Sequence, residues 1–117
     1  MKVSISVNDA PYGTEKAYNA LRMAMAIRKQ DAQVEVRVFL LADGVFCGLP
    51  GQKTPHGYYN TERMLRSVIR RGGEVRACGL CSEARGTGTL ELIEGIQPSN
   101  MMEFAQWTLE CEKAITF

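Results

Sequence analysis

The chain has 117 residues, 45% of them apolar and 23% charged, and its 14 basic and 13 acidic side chains leave a net charge of +1. That length suits one domain, and the composition is that of a globular protein. The near-balance of charge argues against nucleic acid held by bulk electrostatics. No apolar run approaches the ~18 residues of a membrane span, and Met1 to Asp9 lacks the roughly 7–15-residue apolar region of a secretory leader. The expected location is therefore the cytoplasm, with neither membrane nor nucleic acid as a partner.

Lys2 to Val7 put Val3, Ile5 and Val7 on one face and predict a first strand by their period of two. Asn8 to Gly13 reads as a loop by its turn residues and proline. Thr14 is placed to cap a helix, with Glu15 in a first turn where the dipole favours an acid. Ala17, Ala20, Leu21, Ala24 and Ile27 then recur at helical spacing to about Lys29, and their small size predicts close packing on a sheet.

Gln33 to Ala42 predicts a second strand, in which the alternation of Val34, Val36 and Val38 gives way to the continuous Phe39-Leu40-Leu41 of a strand buried between two layers. Asp43 to Leu49 predicts a short helical turn, and Pro50 to Gly57 a loop. A helix from about Asn60 to Arg71 buries Leu65, Val68 and Ile69 and stops at Gly72-Gly73. Glu74 to Cys78 predicts a third strand, Thr87 to Glu94 a helical turn, and Gly95 to Pro98 a brief fourth strand. Asn100 with Glu103 caps a helix to about Glu110, and Ala114 to Phe117 predicts the last strand. This alternation predicts an α/β fold whose mainly parallel, about five-stranded sheet carries helices on both faces.

Ligands of open parallel sheets bind beyond the carboxyl ends of the strands. Asn8 to Thr14, Asp43 to Gly48 and Cys78 to Gly86 each emerge from such an end. If the strands are neighbours, Tyr12, Gly13, Cys47, Cys78 and Arg85 converge on one pocket. Cys78 ends its strand, turns at Gly79, and is followed by Cys81, Arg85 and Gly86. A thiolate is the reactive form of cysteine, and a neighbouring guanidinium lowers its pKa from about 8.5. A buried, inert thiol is the competing reading of Cys78.

In a reducing cytosol the four cysteines are thiols, metal ligands or redox groups rather than a disulfide framework. The C-x-x-C spacing of Cys78 and Cys81 permits a dithiol pair or half of a zinc site. The remaining candidates Cys47, Cys111 and His56 are not paired, so no metal is expected. Asn8 to Thr14 lacks the glycine patterns of a nucleotide loop, and no cofactor is expected. Arg63, Arg66 and Arg70 form a stripe that a solvated helix face explains, with a patch for tRNA or an acidic partner as the competing reading. Tyr58 and Tyr59 on a loop suit an interface, and Met101 and Met102 at a helix start suit either core or interface.

Taken together, Pro11 to Thr14, Val36 to Cys47, Gly57 to Asn60, Ala77 to Gly86 and the helix start from Ser99 to Trp107 resemble the DsrE/DsrF-like (TusD/YchN-type) sulfur-relay family nearly end to end. The Cys78 to Gly86 segment carries most of that resemblance, and its second thiol, Cys81, looks like the YchN-type branch and departs from the tRNA-thiolation TusD type. The resemblance implies a three-layer α/β/α fold, a homo-oligomer of trimeric or hexameric form, and sulfur-donor and sulfur-acceptor proteins as partners. It gives Cys78 the role of bearing a persulfide. In this reading Arg85 and backbone N–H groups beyond Gly79 stabilise the thiolate, and Cys81 or Cys47 resolves the persulfide. The competing expectations are a small-ligand or nucleotide-binding module of flavodoxin-like shape, and a thiol redox switch.

Overall fold

The computed structural model describes residues 1–117. Five strands, β1 (Lys2–Val7), β2 (Glu35–Leu40), β3 (Glu74–Cys78), β4 (Ile96–Ser99) and β5 (Lys113–Thr116), form one sheet. Their order is β4-β3-β2-β1-β5, and every pairing is parallel. Helices α1 (Lys16–Gln30) and α2 (Thr61–Arg70) make the first two crossovers, and α4 (Met101–Glu110) carries the chain from one edge of the sheet to the other. Parallel crossovers are right-handed. Because the first two step in one direction and the last in the reverse, α4 covers the opposite face from α1 and α2. The expected three-layer α/β/α arrangement is present.

The core follows from the strand period. On β2, Phe39 stacks on Phe104 of α4 at 4.4 Å between ring centroids and meets Trp107 edge-on at 5.9 Å. Val36, Val38 and Leu40 alternate to the other side, where Ala17, Ala20, Leu21 and Ala24 of α1 are buried. Their small side chains let the helix lie close to the strands. Under α4 the sheet also holds charge. Arg37, only 8% exposed, donates to Glu110 at 2.7 Å, while the guanidinium groups of Arg37 and Arg76 lie 5.3 and 4.4 Å from the Trp107 ring centre. The ion pair holds the Glu110 carboxyl below the usual carboxylate range.

Several boundaries and one element differ from the sequence expectation. The first helix begins at Lys16, and Thr14 is drawn away as its hydroxyl donates to Asp9, though it still accepts the Lys16 N–H at 3.4 Å. Asn100 caps α4 by accepting the Glu103 N–H, but the Glu103 carboxylate takes the Ser99 hydroxyl at 2.6 Å instead of closing a capping box. Thr87 to Glu94 is an irregular segment rather than a helical turn. Ile93 is buried there and its N–H donates to the Gly48 carbonyl, so long-range contacts hold a stretch with no helical ladder. In contrast, Cys78 to Gly86 holds a helix that the sequence pattern does not reveal, α3 (Gly79–Ala84).

Candidate functional site

Cys78 is at once the last residue of β3 and the cap of α3. Its backbone leaves the helix region (φ −66°, ψ 118°), and its Sγ accepts the Cys81 N–H at 3.4 Å. This side-chain capping consumes one of the free amides of the first turn. The Ser82 hydroxyl donates to the Cys78 carbonyl at 3.1 Å, and the helix closes at Gly86, whose φ of +72° favours glycine.

Cys81 sits one turn on, half-buried, and its Sγ accepts the N–H of Ala42 at 3.3 Å. Ala42 begins a 3-10 turn (Ala42–Gly48) that leaves β2, and it is the one non-glycine residue with positive φ, +51°. That conformation costs an alanine of the order of 1–3 kcal/mol and is held only where the surroundings dictate it. Arg85 ties the same two segments together: its Nε donates to Asp43 at 2.7 Å and its Nη1 to the Cys81 carbonyl at 3.1 Å. The ends of β2 and β3 are therefore joined through sulfur and guanidinium contacts.

The electrostatics differ from the sequence expectation. Cys78 is 5% exposed, and burial, followed by the adjacent Cys81 thiol, pushes its pKa up rather than down. Arg85 does not offset this, because its guanidinium is occupied by Asp43 and a carbonyl. Cys47, 1% exposed, is held more firmly as a thiol. Burial pushes it up to about 12, and its Sγ donates to the Asp9 carbonyl at 3.6 Å. Cys111 is also raised by burial, with Arg37 opposing. It lies just beyond α4, away from α3.

Strand order, crossover hands and a cysteine-capped helix after β3 invite comparison with known proteins. The DsrE/DsrF-like family matches residues 1–117. The chain belongs to that family. It is similar to Protein YchN of Escherichia coli (strain K12), 42% identical over 116 residues that span 99% of this chain and 98% of that protein. An uncharacterized protein of Methanopyrus kandleri is 39% identical over 98% of this chain and 93% of its own length. The crystal structure of ychN protein from E. coli superposes with a TM-score of 0.95 over 100% of this chain and 99% of that one. A protein of unknown function from Methanobacterium thermoautotrophicum, 16% identical, shares the fold with a TM-score of 0.72, covering 99% and 98% of the two chains.

Within this DsrE/DsrF-like chain the other residues singled out in the sequence divide into two groups. Cys47, Cys78, Cys81 and Arg85 are linked through Asp9, Ala42 and Asp43 at the carboxyl ends of β1, β2 and β3. Tyr12 and Gly13 stand apart. The Tyr12 hydroxyl accepts the Thr61 N–H at the start of α2, and its ring packs against Tyr58 and Tyr59 at 5.9 and 5.5 Å. Gly13 is exposed with open space around it. Order β4-β3-β2-β1-β5 puts the reversal of strand order at β1 and β5, and there Asn8 closes the crevice by donating through its backbone and side chain to the Phe117 carbonyl. Cys78, at the end of β3, thus lies two strands away from the crevice that open sheets commonly use.

A cavity of about 490 Å³ lies next to Gly79, floored by Ala77, Ile93 and Ile96 and edged by Glu83, Glu91 and Glu94. No lysine or arginine lines it, so it suits neither phosphate nor nucleotide. His56 is exposed on its loop, and no three His, Cys, Asp or Glu side chains are grouped as a metal site requires. No helix is long and apolar enough to cross a membrane. Ala42 and Asp43 are the residues that sequence reasoning missed. Asp43 is visible locally only as an acid at a strand end, with nothing to pair it with Arg85, and nothing local marks Ala42.

Proposed function

We propose that this DsrE/DsrF-like protein is a cytoplasmic sulfur carrier that accepts sulfur as a cysteine persulfide on Cys78 and passes it to an acceptor protein. The observation that carries this reading is the pair of sulfurs at the end of β3, each receiving a backbone N–H. The Cys81 N–H opposes part of the burial that raises the Cys78 thiol, and a shielded sulfur is protected from overoxidation. The outer sulfur of a donor persulfide ends on Cys78, the donor leaves as a thiolate, and an acceptor thiolate later removes the same sulfur. Cys81, in contact with Cys78, is the thiol able to resolve the persulfide as a disulfide, attacking the inner sulfur and releasing the outer one as hydrosulfide. Cys47 is too firmly protonated for that role. After incubation with a persulfide donor and removal of the excess, mass spectrometry is expected to find one retained sulfur on Cys78. A Cys78→Ser chain that retains as much sulfur as the wild type would refute the assignment.

The carrier works as a homo-oligomer, trimer or hexamer, with donor and acceptor proteins reaching its thiols. Support comes from apolar side chains left in water on α3 and α4: Leu80, Met102 and Leu109 are 76%, 80% and 88% exposed. Met102 and Leu109, seven positions apart, share one face of α4, and exposed apolar groups on one face mark a contact site. Met102→Glu combined with Leu109→Glu is expected to reduce the molar mass in light scattering to that of one chain while leaving its thermal melting transition cooperative. An unchanged oligomer would place the interface elsewhere.

A further inference from the structure

We infer that Cys81 is the first station for incoming sulfur and Cys78 the store, so that sulfur reaches Cys78 by transfer from Cys81 inside one chain. This inference rests on the carrier reading above and adds an order to it. The two residues are three positions apart on one helical turn, yet their surroundings differ. Cys78 is 5% exposed beneath the start of α3, whereas Cys81 is half-buried and within reach from solvent. A donor that approaches from outside therefore meets the sulfur of Cys81 first.

Cys81 is also the sulfur on which a separate element is aimed. Ala42, 39 residues earlier, adopts the left-handed conformation and points its N–H at Cys81 Sγ from 3.3 Å. A backbone amide fixed in this way supports the thiolate without reorganising as charge develops, the same logic as a preformed anion hole. Arg85 keeps the two segments in register by bonding Asp43, next to Ala42, and the Cys81 carbonyl. The two thiols interact side chain to side chain, and the Cys81 N–H donates to Cys78 Sγ at 3.4 Å, so the sulfurs are neighbours.

The chemistry balances without any outside oxidant or reductant. The Cys81 thiolate attacks the outer sulfur of a donor persulfide. An S–S bond forms at Cys81 as the donor's S–S bond breaks, and the donor departs as a thiolate that takes a proton from solvent. The Cys78 thiol then gives up its proton, and its sulfur attacks the outer sulfur of the Cys81 persulfide. The Cys81 sulfur leaves with the electron pair and accepts that proton. The products are a Cys78 persulfide and a Cys81 thiol, at unchanged oxidation state. Arriving sulfur is thus moved from a reachable site to one shielded from water and oxidants.

The test uses glutathione persulfide, quenching with iodoacetamide at successive times and locating the added sulfur by fragmenting the peptide Ala77 to Arg85. In the wild type, sulfur is expected on Cys81 first and on Cys78 later. Cys81→Ser is expected to slow loading of Cys78 by about tenfold or more, since the buried thiol must then meet the donor directly. Cys78→Ser is expected to trap sulfur on Cys81 at early times and to lose it once the donor is removed. Loading of Cys78 in Cys81→Ser at the wild-type rate overturns the order while leaving the carrier reading intact. So does a Cys78→Ser chain that never shows sulfur on Cys81, and this variant decides the matter even if Cys81→Ser folds poorly. A wild-type chain that takes up no sulfur on either residue refutes the carrier reading itself.

Discussion

Replacing Gly44 with alanine is expected to cost at least about 4 kcal/mol of folding free energy, or to prevent folding outright. Gly44 sits in the 3-10 turn after β2 where the turn crosses the end of β1. A Cβ there would overlap the carbonyl oxygen of Val7 and stand 2.8 Å from its carbon. That oxygen cannot retreat, because it accepts the Leu41 N–H at 2.9 Å and belongs to a strand paired on both sides. The consequences extend to the site. The same turn supplies Asp43 to Arg85 and begins at the Ala42 amide that meets Cys81, so displacing it releases both contacts. Gly51→Ala is the control: its φ is +82° but nothing lies within 4 Å of the added carbon, and the left-handed conformation costs about 1–2 kcal/mol. Urea unfolding of the two variants should separate them clearly. Equal midpoints would mean the close approach of turn and strand is not what the fold depends on.

Folding stability is expected to fall as pH rises from about 9 toward 12, by about 4 kcal/mol through Cys47 alone. The sign follows from the direction of the shift. Burial raises this thiol from 9.0 to about 12 in the folded chain. Below 9 both states hold the proton and stability is intact. Above 9 the unfolded chain ionises while the folded one cannot, so unfolding gains until the folded thiol also ionises near 12. Cys78 and Cys111, raised as well, add in the same direction. Cys47→Ala is expected to flatten the alkaline slope at a neutral-pH cost of about 1–2 kcal/mol for the small cavity it leaves. Denaturant titrations of both proteins at several alkaline pH values measure this, and identical slopes would show that Cys47 is not the group responsible. The same shift predicts that iodoacetamide labels Cys47 last among the four cysteines in the folded protein.

The period of two in Val3, Ile5 and Val7 and in Val34, Val36 and Val38, and the helical recurrence from Ala17 to Ile27, made the layered fold readable before any coordinates. These signals act over a few residues and survive in any context that buries one face. Helix α3 left no such trace. Its six residues open on a glycine and include one buried side chain, Ser82, so no periodic stripe marks it. Arg85 was readable as a cation near two thiols. Its partner was not, because Asp43 lies 42 positions away and competes for the guanidinium at 2.7 Å.

The sequence alone determined the order of the strands with α1, α2 and α4, the family, and a pair of thiols placed where a strand ends, since each is written in short windows of the chain. Only the tertiary structure decided which face α4 covers, that Cys78 is shut in while Cys81 stays within reach, and that Ala42 turns its amide onto sulfur. Those outcomes depend on parallel pairing of β2 with β3, which brings together segments about forty residues apart. No local propensity encodes a contact whose two halves are joined only when the sheet forms.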